Sequence, residues 1–162
     1  MTSLQQARIL ALLVPAALLA GAYGSQYWGG LHPCEMCYWQ RWPHFAAVGF
    51  ALVSLAMRGG PDRGRSFVWL AALAILISGG IGAYHAGVEI GIFEGITQCS
   101  SLASGGSSAD ILADIMSTPL IRCDQVQWSF LGISLAGWNA IISIGFGLLI
   151  LWLSLRKPRA QA

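Results

Sequence analysis

The segment Cys34-Glu-Met-Cys37 sets two thiols three residues apart, and Arg41 follows Cys37 by four residues. If this segment opens a helix, both thiols sit at the N-terminus, where the helix dipole favours a thiolate. Arg41 then shares the face of Cys37 and adds a positive charge beside it. The thiolate is the species that exchanges with disulfides. Two more cysteines, Cys99 and Cys123, enclose 23 residues. As a plain staple, a bond between them would contribute about 3 kcal/mol through loop closure. The enclosed residues include SSLASGGSS at 100–108, a linker-like composition with little fold to preserve, so an exchanging bond is the preferred reading. His85 and Glu89, four apart on one helical face, are placed to hold or relay a proton, although hydrogen-bonded structure is the commoner use of such a pair.

These residues need a scaffold, and the composition says that the scaffold is a membrane bundle. Of 162 residues, 56% are hydrophobic and 10% charged, against about 25% charged in soluble domains. Apolar stretches at 9–23 (continuing less purely to 30), 67–86 and 130–155 are long enough to span. A shorter one, 45–57, reaches spanning length when extended back through Tyr38 and Trp39. That extension carries Arg41 into the outer headgroup region, where snorkelling to phosphate competes with a functional role. The expectation is an all-α integral membrane protein of one domain, an up-down bundle of four transmembrane helices at about 9–29, 38–57, 67–87 and 129–155.

Charge sets the orientation. Arg8, Arg58, Arg63, Arg65, Arg156, Lys157 and Arg159 fall on one side, and basic residues near helix ends stay in the cytoplasm. Glu35, Glu89, Glu94, Asp110, Asp114 and Asp124 fall on the other side, and only Asp62 joins the basic group. Both termini and the 58–66 turn are then cytoplasmic. The loops at 30–37 and 88–128 lie outside, and all four cysteines face an oxidising compartment, where disulfides persist. The net charge of +2 carries no signal for nucleic acid, because the basic residues serve topology.

Smaller features fill in the frame. Arg8, the apolar run after it and Ala20-Gly21-Ala22 also resemble a cleaved leader. One basic residue and the renewed apolar character through Tyr27 and Trp28 favour a retained span. Pro15 should kink the first helix. Within 109–117, Ile111, Leu112, Ile115 and Met116 oppose Asp110 and Asp114. This predicts a short helix, capped by Ser107 or Ser108 and stopped by Pro119, lying in the membrane interface or folded over the bundle top. Trp28, Trp39, Trp42 and Trp128, with Tyr27 and Tyr38, suit the outer membrane boundary. Gly132, Ser134, Ala136 and Gly137 offer a small-residue face for close helix packing.

Taken together, Cys34-Glu-Met-Cys37-Tyr-Trp-Gln40-Arg41-Trp-Pro43, Tyr84-His85, Gly87-Val-Glu89, Cys99, and Cys123 followed by Trp128-Ser-Phe-Leu-Gly132 and Trp138-Asn139 resemble the disulfide bond formation protein B (DsbB) family. The resemblance runs from the first helix to the last, with Met36 where the family often has Leu. It implies a thiol oxidase of the bacterial inner membrane, with its cysteines periplasmic, that reoxidises a soluble thioredoxin-like partner, DsbA, and delivers the electrons to ubiquinone or menaquinone, without flavin or metal. Cys34 and Cys37 would be the quinone-coupled pair, and Cys99 and Cys123 the pair that meets the partner. Cys99 would form the mixed disulfide, Cys34 would attack Cys123 to relay electrons, Cys37 would face the quinone as thiolate, and Arg41 and His85 would help to hold that quinone. Two other readings compete: a metal site built from the four cysteines, and a non-enzymatic bundle whose outer loops are stapled by inert disulfides.

Overall fold

The computed structural model describes residues 2–57, 59, 62–95 and 122–156. Among the described residues there are four helices: α1 (Ser3–Tyr27), α2 (Glu35–Ala56), α3 (Arg65–Glu89) and α4 (Leu135–Leu155). Three of them, α1, α3 and α4, are long and apolar enough to cross a membrane. A two-residue-stranded hairpin, β1 (Ser129–Phe130) and β2 (Ile133–Ser134), precedes α4. The predicted short helix at 109–117 and Cys99 lie outside the described residues.

The helices alternate in direction, as side-chain bonds at both ends of the bundle show. Arg8 at the start of α1 donates through Nε to Ser54 Oγ at the end of α2 (3.2 Å). At the opposite end, Arg41 near the start of α2 donates to Gln26 Oε1 at the end of α1 (2.7 Å). Trp69 Nε1 at the start of α3 donates to Ser154 Oγ at the end of α4 (2.9 Å), and Gly82, late in α3, packs against the Ala136 carbonyl at the start of α4. The core between them is built from small and aliphatic side chains, including Ala7, Ala11, Ala47, Ala51, Ala72, Ile75 and Ile150. Small residues at helix contacts let backbones approach, which matters where lipid is as apolar as any side chain.

The end that carries Arg8 is knit by polar groups. Arg8 is buried, and besides Ser54 it donates to the Arg63 carbonyl. Gly64 adopts φ +69° with Ser54 pressed against it, and Ser54 Oγ donates to the Gly64 carbonyl (2.8 Å). A side chain there would need a left-handed backbone and would strike Ser54. Asp62, the one acid in the basic group, caps α3: its carboxylate accepts from Gly64 N (2.9 Å), Ser66 N (3.1 Å) and Ser66 Oγ (2.6 Å). Those bonds, led by that from the Ser66 hydroxyl, hold its carboxyl down at about 2.

Three helix boundaries differ from the sequence expectation. α1 spans Ser3–Tyr27, with Pro15 inside it, where about 9–29 was expected. α2 begins at Glu35, not near 38, so Cys34 is its N-cap residue and Cys37 lies in its first turn. α4 begins at Leu135, not near 129, because Leu131 (φ +53°) and Gly132 (φ +77°) form a tight hairpin turn. Two successive positive φ values are what a two-residue turn between antiparallel strands requires. Gly132 and Ser134 therefore belong to the turn and the cap, where Ser134 Oγ accepts from Gly137 N (3.1 Å). Of the predicted small-residue face, Ala136 does meet α3, at Gly82, and the close contact continues along α4 to Ser143. A Cβ on Gly79 would come within 2.9 Å of Ile144 and 3.0 Å of Ser143. Gly79→Val should wedge α3 from α4 and lower stability by about 1–3 kcal/mol, the usual cost of overpacking. Gly80→Ala, with nothing within 4 Å, serves as the matched control; thermal unfolding in detergent checks the pair.

Candidate redox site

At the cysteine end, α2 starts with no side-chain cap on its backbone N–H groups. The thiols of the first turn take their place beside the positive end of the helix dipole. Cys34 Sγ donates to Cys37 Sγ at 3.2 Å. Cys34, Met36, Val88 and Cys123 form one buried cluster, with Cys37 and Tyr84 packed on it. The structure thus brings three of the four predicted cysteines together across loops 86 residues apart in sequence, counting Cys37 to Cys123.

The two thiols of the pair differ. The hydrogen bond given to Cys37, with burial, pushes the Cys34 thiol up to about 12. The same bond holds Cys37 below the usual thiol range, and the Arg41 charge acts in that direction against the cost of burial. Cys37 is therefore the more acidic thiol of the reduced pair and Cys34 the one that holds its proton. In the reduced protein at neutral pH, iodoacetamide should label Cys37 ahead of Cys34, and the Cys37 rate should stay high as pH falls below the range of an ordinary thiol. Peptide mapping of the alkylated cysteines checks both.

Predicted His85 and Glu89 stand beside the pair. His85 Nε2 lies 3.6 Å from Cys34 Sγ and 3.8 Å from Glu89 Oε1. Both side chains are nearly enclosed, and Glu89 Oε2 has no hydrogen-bond partner. Arg41 is not a snorkelling arginine: it is 7% exposed and points into the bundle. It donates to Gln26 Oε1 (2.7 Å) and to the Ala22 carbonyl (3.4 Å), and its guanidinium lies over the rings of Tyr23 (4.7 Å) and Tyr38 (5.0 Å). Among the described residues no carboxylate pairs with it.

These groups share one cavity of about 450 Å³. One wall is apolar, with Ala17, Leu18, Leu19 and Ala22 of α1, and Leu135 and Ile142 of α4. The polar end holds Cys37, Arg41, His85 and Glu89. A second polar group reaches the same cavity and was not singled out from the sequence as a site: Gln40 and His44 on α2 and Asn139 on α4, joined to Ser78 on α3. Asn139 Nδ2 donates to Gln40 Oε1 (2.8 Å), and Asn139 Oδ1 lies 2.9 Å from His44 Nε2. Polar side chains inside otherwise apolar spans are the signal that could have marked them.

The comparison with protein families decides what kind of bundle this is. The family described as disulfide bond formation protein DsbB matches residues 5–153. The chain belongs to the DsbB family. Among curated relatives, disulfide bond formation protein B of Marinobacter nauticus is 32% identical over 151 residues, covering 87% of this chain and 84% of that protein. The protein of the same name from Paracidovorax citrulli is 31% identical, over 94% of this chain and 89% of its own length. That from Xanthomonas oryzae pv. oryzae is 30% identical, over 94% and 91%. No solved structure matches. Membership, with three helices apolar enough to span, makes this a multi-pass membrane protein of the disulfide-forming machinery.

Proposed function

We propose that the protein is a quinone-dependent thiol oxidase of the bacterial inner membrane, with four spanning helices, both termini cytoplasmic, and its cysteines periplasmic. It reoxidises a DsbA-type dithiol protein. The observation that carries the proposal is the meeting of Cys34 and Cys37 with His85 and Arg41 at the polar end of an apolar cavity, with Cys123 packed against Cys34 in one buried cluster.

The cavity suits a quinone head. Its volume lies within the few hundred to 1,000 Å³ of ordinary ligand sites. It pairs an apolar wall with a buried cation, Arg41, whose Nε has no hydrogen-bond partner. A bound quinone would supply a two-electron, two-proton acceptor; Arg41 and His85 would hold its head and Cys37 would face it.

Electron balance orders the exchanges. The partner's dithiol reduces the Cys99–Cys123 bond through a mixed disulfide at Cys99, becoming a disulfide itself. The Cys123 thiolate then attacks Cys34; the Cys34–Cys37 bond breaks and its electron pair leaves on Cys37. Because electrons flow toward the quinone, Cys123 is the nucleophile of this step and Cys34 the sulfur attacked, the opposite polarity to the sequence expectation. Cys99 next attacks Cys123, restoring their bond and releasing Cys34 as thiolate. The reduced Cys34–Cys37 pair gives two electrons to the quinone and closes again. Two protons follow, so the net change is partner dithiol plus quinone to partner disulfide plus hydroquinone.

A direct test uses Cys37→Ser mixed with reduced partner, acid-quenched and mapped by peptide mass spectrometry. The Cys34–Cys123 linkage should be absent, because Cys34 has no disulfide to open. In the wild type quenched early it should be present. Its absence from the wild type at every time point would overturn the relay order.

A second reading has one observation behind it. The ligand atoms of Cys34, Cys37 and His85 lie within 4.8 Å of one another, a grouping that suits a thiophilic cation when the pair is reduced. One metal ion bound per purified chain, surviving dialysis, would favour it over the oxidase; the oxidase predicts sub-stoichiometric metal.

A further inference from the structure

We propose that Gln40 and Asn139 are positioning residues that fix the His85 ring with its single proton toward Cys34, so that His85 serves the thiols as a hydrogen-bond donor and not as their base. The inference rests on the thiol-relay reading above and adds a role for two residues that the reading leaves unused.

Gln40 Nε2 lies 3.1 Å from the Met36 carbonyl and 2.9 Å from His85 Nδ1. A carbonyl only accepts, so the atom facing it is the amide NH₂. His85 Nδ1, which faces that same NH₂, must then be the bare acceptor. The ring proton of neutral His85 is left on Nε2, the nitrogen 3.6 Å from Cys34 Sγ and 3.8 Å from Glu89 Oε1.

Gln40 cannot turn over cheaply, because Asn139 holds its other end. Asn139 Nδ2 donates to Gln40 Oε1 at 2.8 Å and to the Ser78 carbonyl at 3.3 Å. Asn139 Oδ1 accepts from Ser143 Oγ at 3.0 Å and from His44 Nε2 at 2.9 Å. Flipping Gln40 would set its NH₂ against that of Asn139 and its oxygen against the Met36 carbonyl. Such clashes of buried polar groups are costly. Gly82 makes room for the amide pair: a Cβ there would lie 3.0 Å from Asn139 Nδ2 and 3.1 Å from Gln40 Oε1. Three helices, α2, α3 and α4, thus converge on one proton position.

The chemistry that this serves is the release of Cys34. When Cys99 displaces Cys34 from Cys123, negative charge develops on a sulfur that is 4% exposed. A ring N–H already aimed at that sulfur stabilises the departing thiolate. A ring with its proton on Nδ1 would present a lone pair to it instead. Among the described residues, the other ionisable groups at the ring are Cys37 from α2, Glu89 from α3 and Cys123 from the segment before the hairpin, whose backbone also bonds to His85, and Glu89, with its unpartnered Oε2, is the carboxylate left to carry protons.

The test is ¹⁵N NMR of histidine-labelled, reduced protein in detergent, with the His85 signals assigned by their loss in His85→Ala. The expected result is a wild-type ring protonated on Nε2 and bare at Nδ1. Gln40→Glu, whose carboxylate accepts only, should bring a proton to Nδ1, and Asn139→Leu should give a mixture. In Gln40→Glu and Gln40→Leu the release of Cys34 from Cys123, followed by quench and mapping, should slow by about tenfold or more, with thermal midpoints recorded on the same samples. A wild-type ring protonated on Nδ1, or an unchanged ring in Gln40→Glu, overturns the proposal even if quinone is reduced. A wild-type ring protonated on Nε2 in a protein that reduces no quinone sinks the relay reading and leaves the positioning geometry standing.

Discussion

Replacing Cys37 with serine is expected to lower quinone reduction by about 10³-fold or more, the scale of losing a reacting nucleophile. Three features converge on this residue. Cys37 accepts the hydrogen bond from Cys34, it stands in the first turn of α2, and it lines the cavity with Arg41. A serine hydroxyl can accept the same hydrogen bond, so the local structure should survive, but an alkoxide is not available at neutral pH and no Cys34–Cys37 bond can form. The first exchange, between the partner and Cys99–Cys123, does not use Cys37. One partner dithiol per chain should therefore still be oxidised in a single turnover, with no hydroquinone formed. Counting partner disulfides against hydroquinone in a single-turnover mix checks this. Undiminished quinone reduction in Cys37→Ser would remove the residue from the electron path.

Arg41→Gln should raise the apparent quinone KM by roughly 10- to 100-fold, with a smaller effect on the KM for the dithiol partner. The basis is the environment of the guanidinium. It is buried among Tyr23, Tyr38, Gln26 and the Ala22 carbonyl, and a buried hydrogen bond to a charged group is worth about 1.5–3 kcal/mol, which is that range of KM. Cys37 should also lose part of its thiolate character, since the Arg41 charge helps to hold its thiol down. Iodoacetamide labelling of Cys37 should slow in the variant. Steady-state kinetics with quinone and partner varied in turn separates the two ends of the protein. An unchanged quinone KM would place Arg41 outside the quinone site.

The bundle was legible because a membrane simplifies the pattern. Apolar runs of spanning length and a one-sided distribution of Arg and Lys are properties of single segments, and α1, α3 and α4 follow them closely. The hairpin before α4 was not legible on that basis. Phe130, Leu131 and Ile133 read as the start of the apolar helix, whereas the Leu131-Gly132 turn and the Trp138 Nε1 bond to the Phe130 carbonyl (3.1 Å) fold them back. Gly132 was the available signal. Arg41 shows a different limit. Its place near a predicted boundary suggested headgroups, yet the tyrosines of α1 and α2 wrap it inside the bundle.

At the site, local motifs read well and long-range ones did not. Cys34, Cys37 and Arg41 lie within eight residues, and His85 and Glu89 within five, so helical spacing alone relates them. The amide pair Gln40 and Asn139 spans 99 positions. Spacing within one helix says nothing about which polar residue of another helix faces it. Only the packing of α2, α3 and α4 around Gly82 brings the pair together.

The most direct test of the central claim is electron stoichiometry in the purified wild-type protein, with reduced DsbA-type partner and ubiquinone-1 or a short-chain menaquinone as acceptor. Thiol loss from the partner and hydroquinone formation are followed together under anaerobic conditions. The relay predicts one hydroquinone for each partner disulfide, over many turnovers per chain. Partner oxidation that stops after the protein's own disulfides are consumed, with no hydroquinone from either quinone, would contradict it and leave the cysteines as structural bonds or metal ligands.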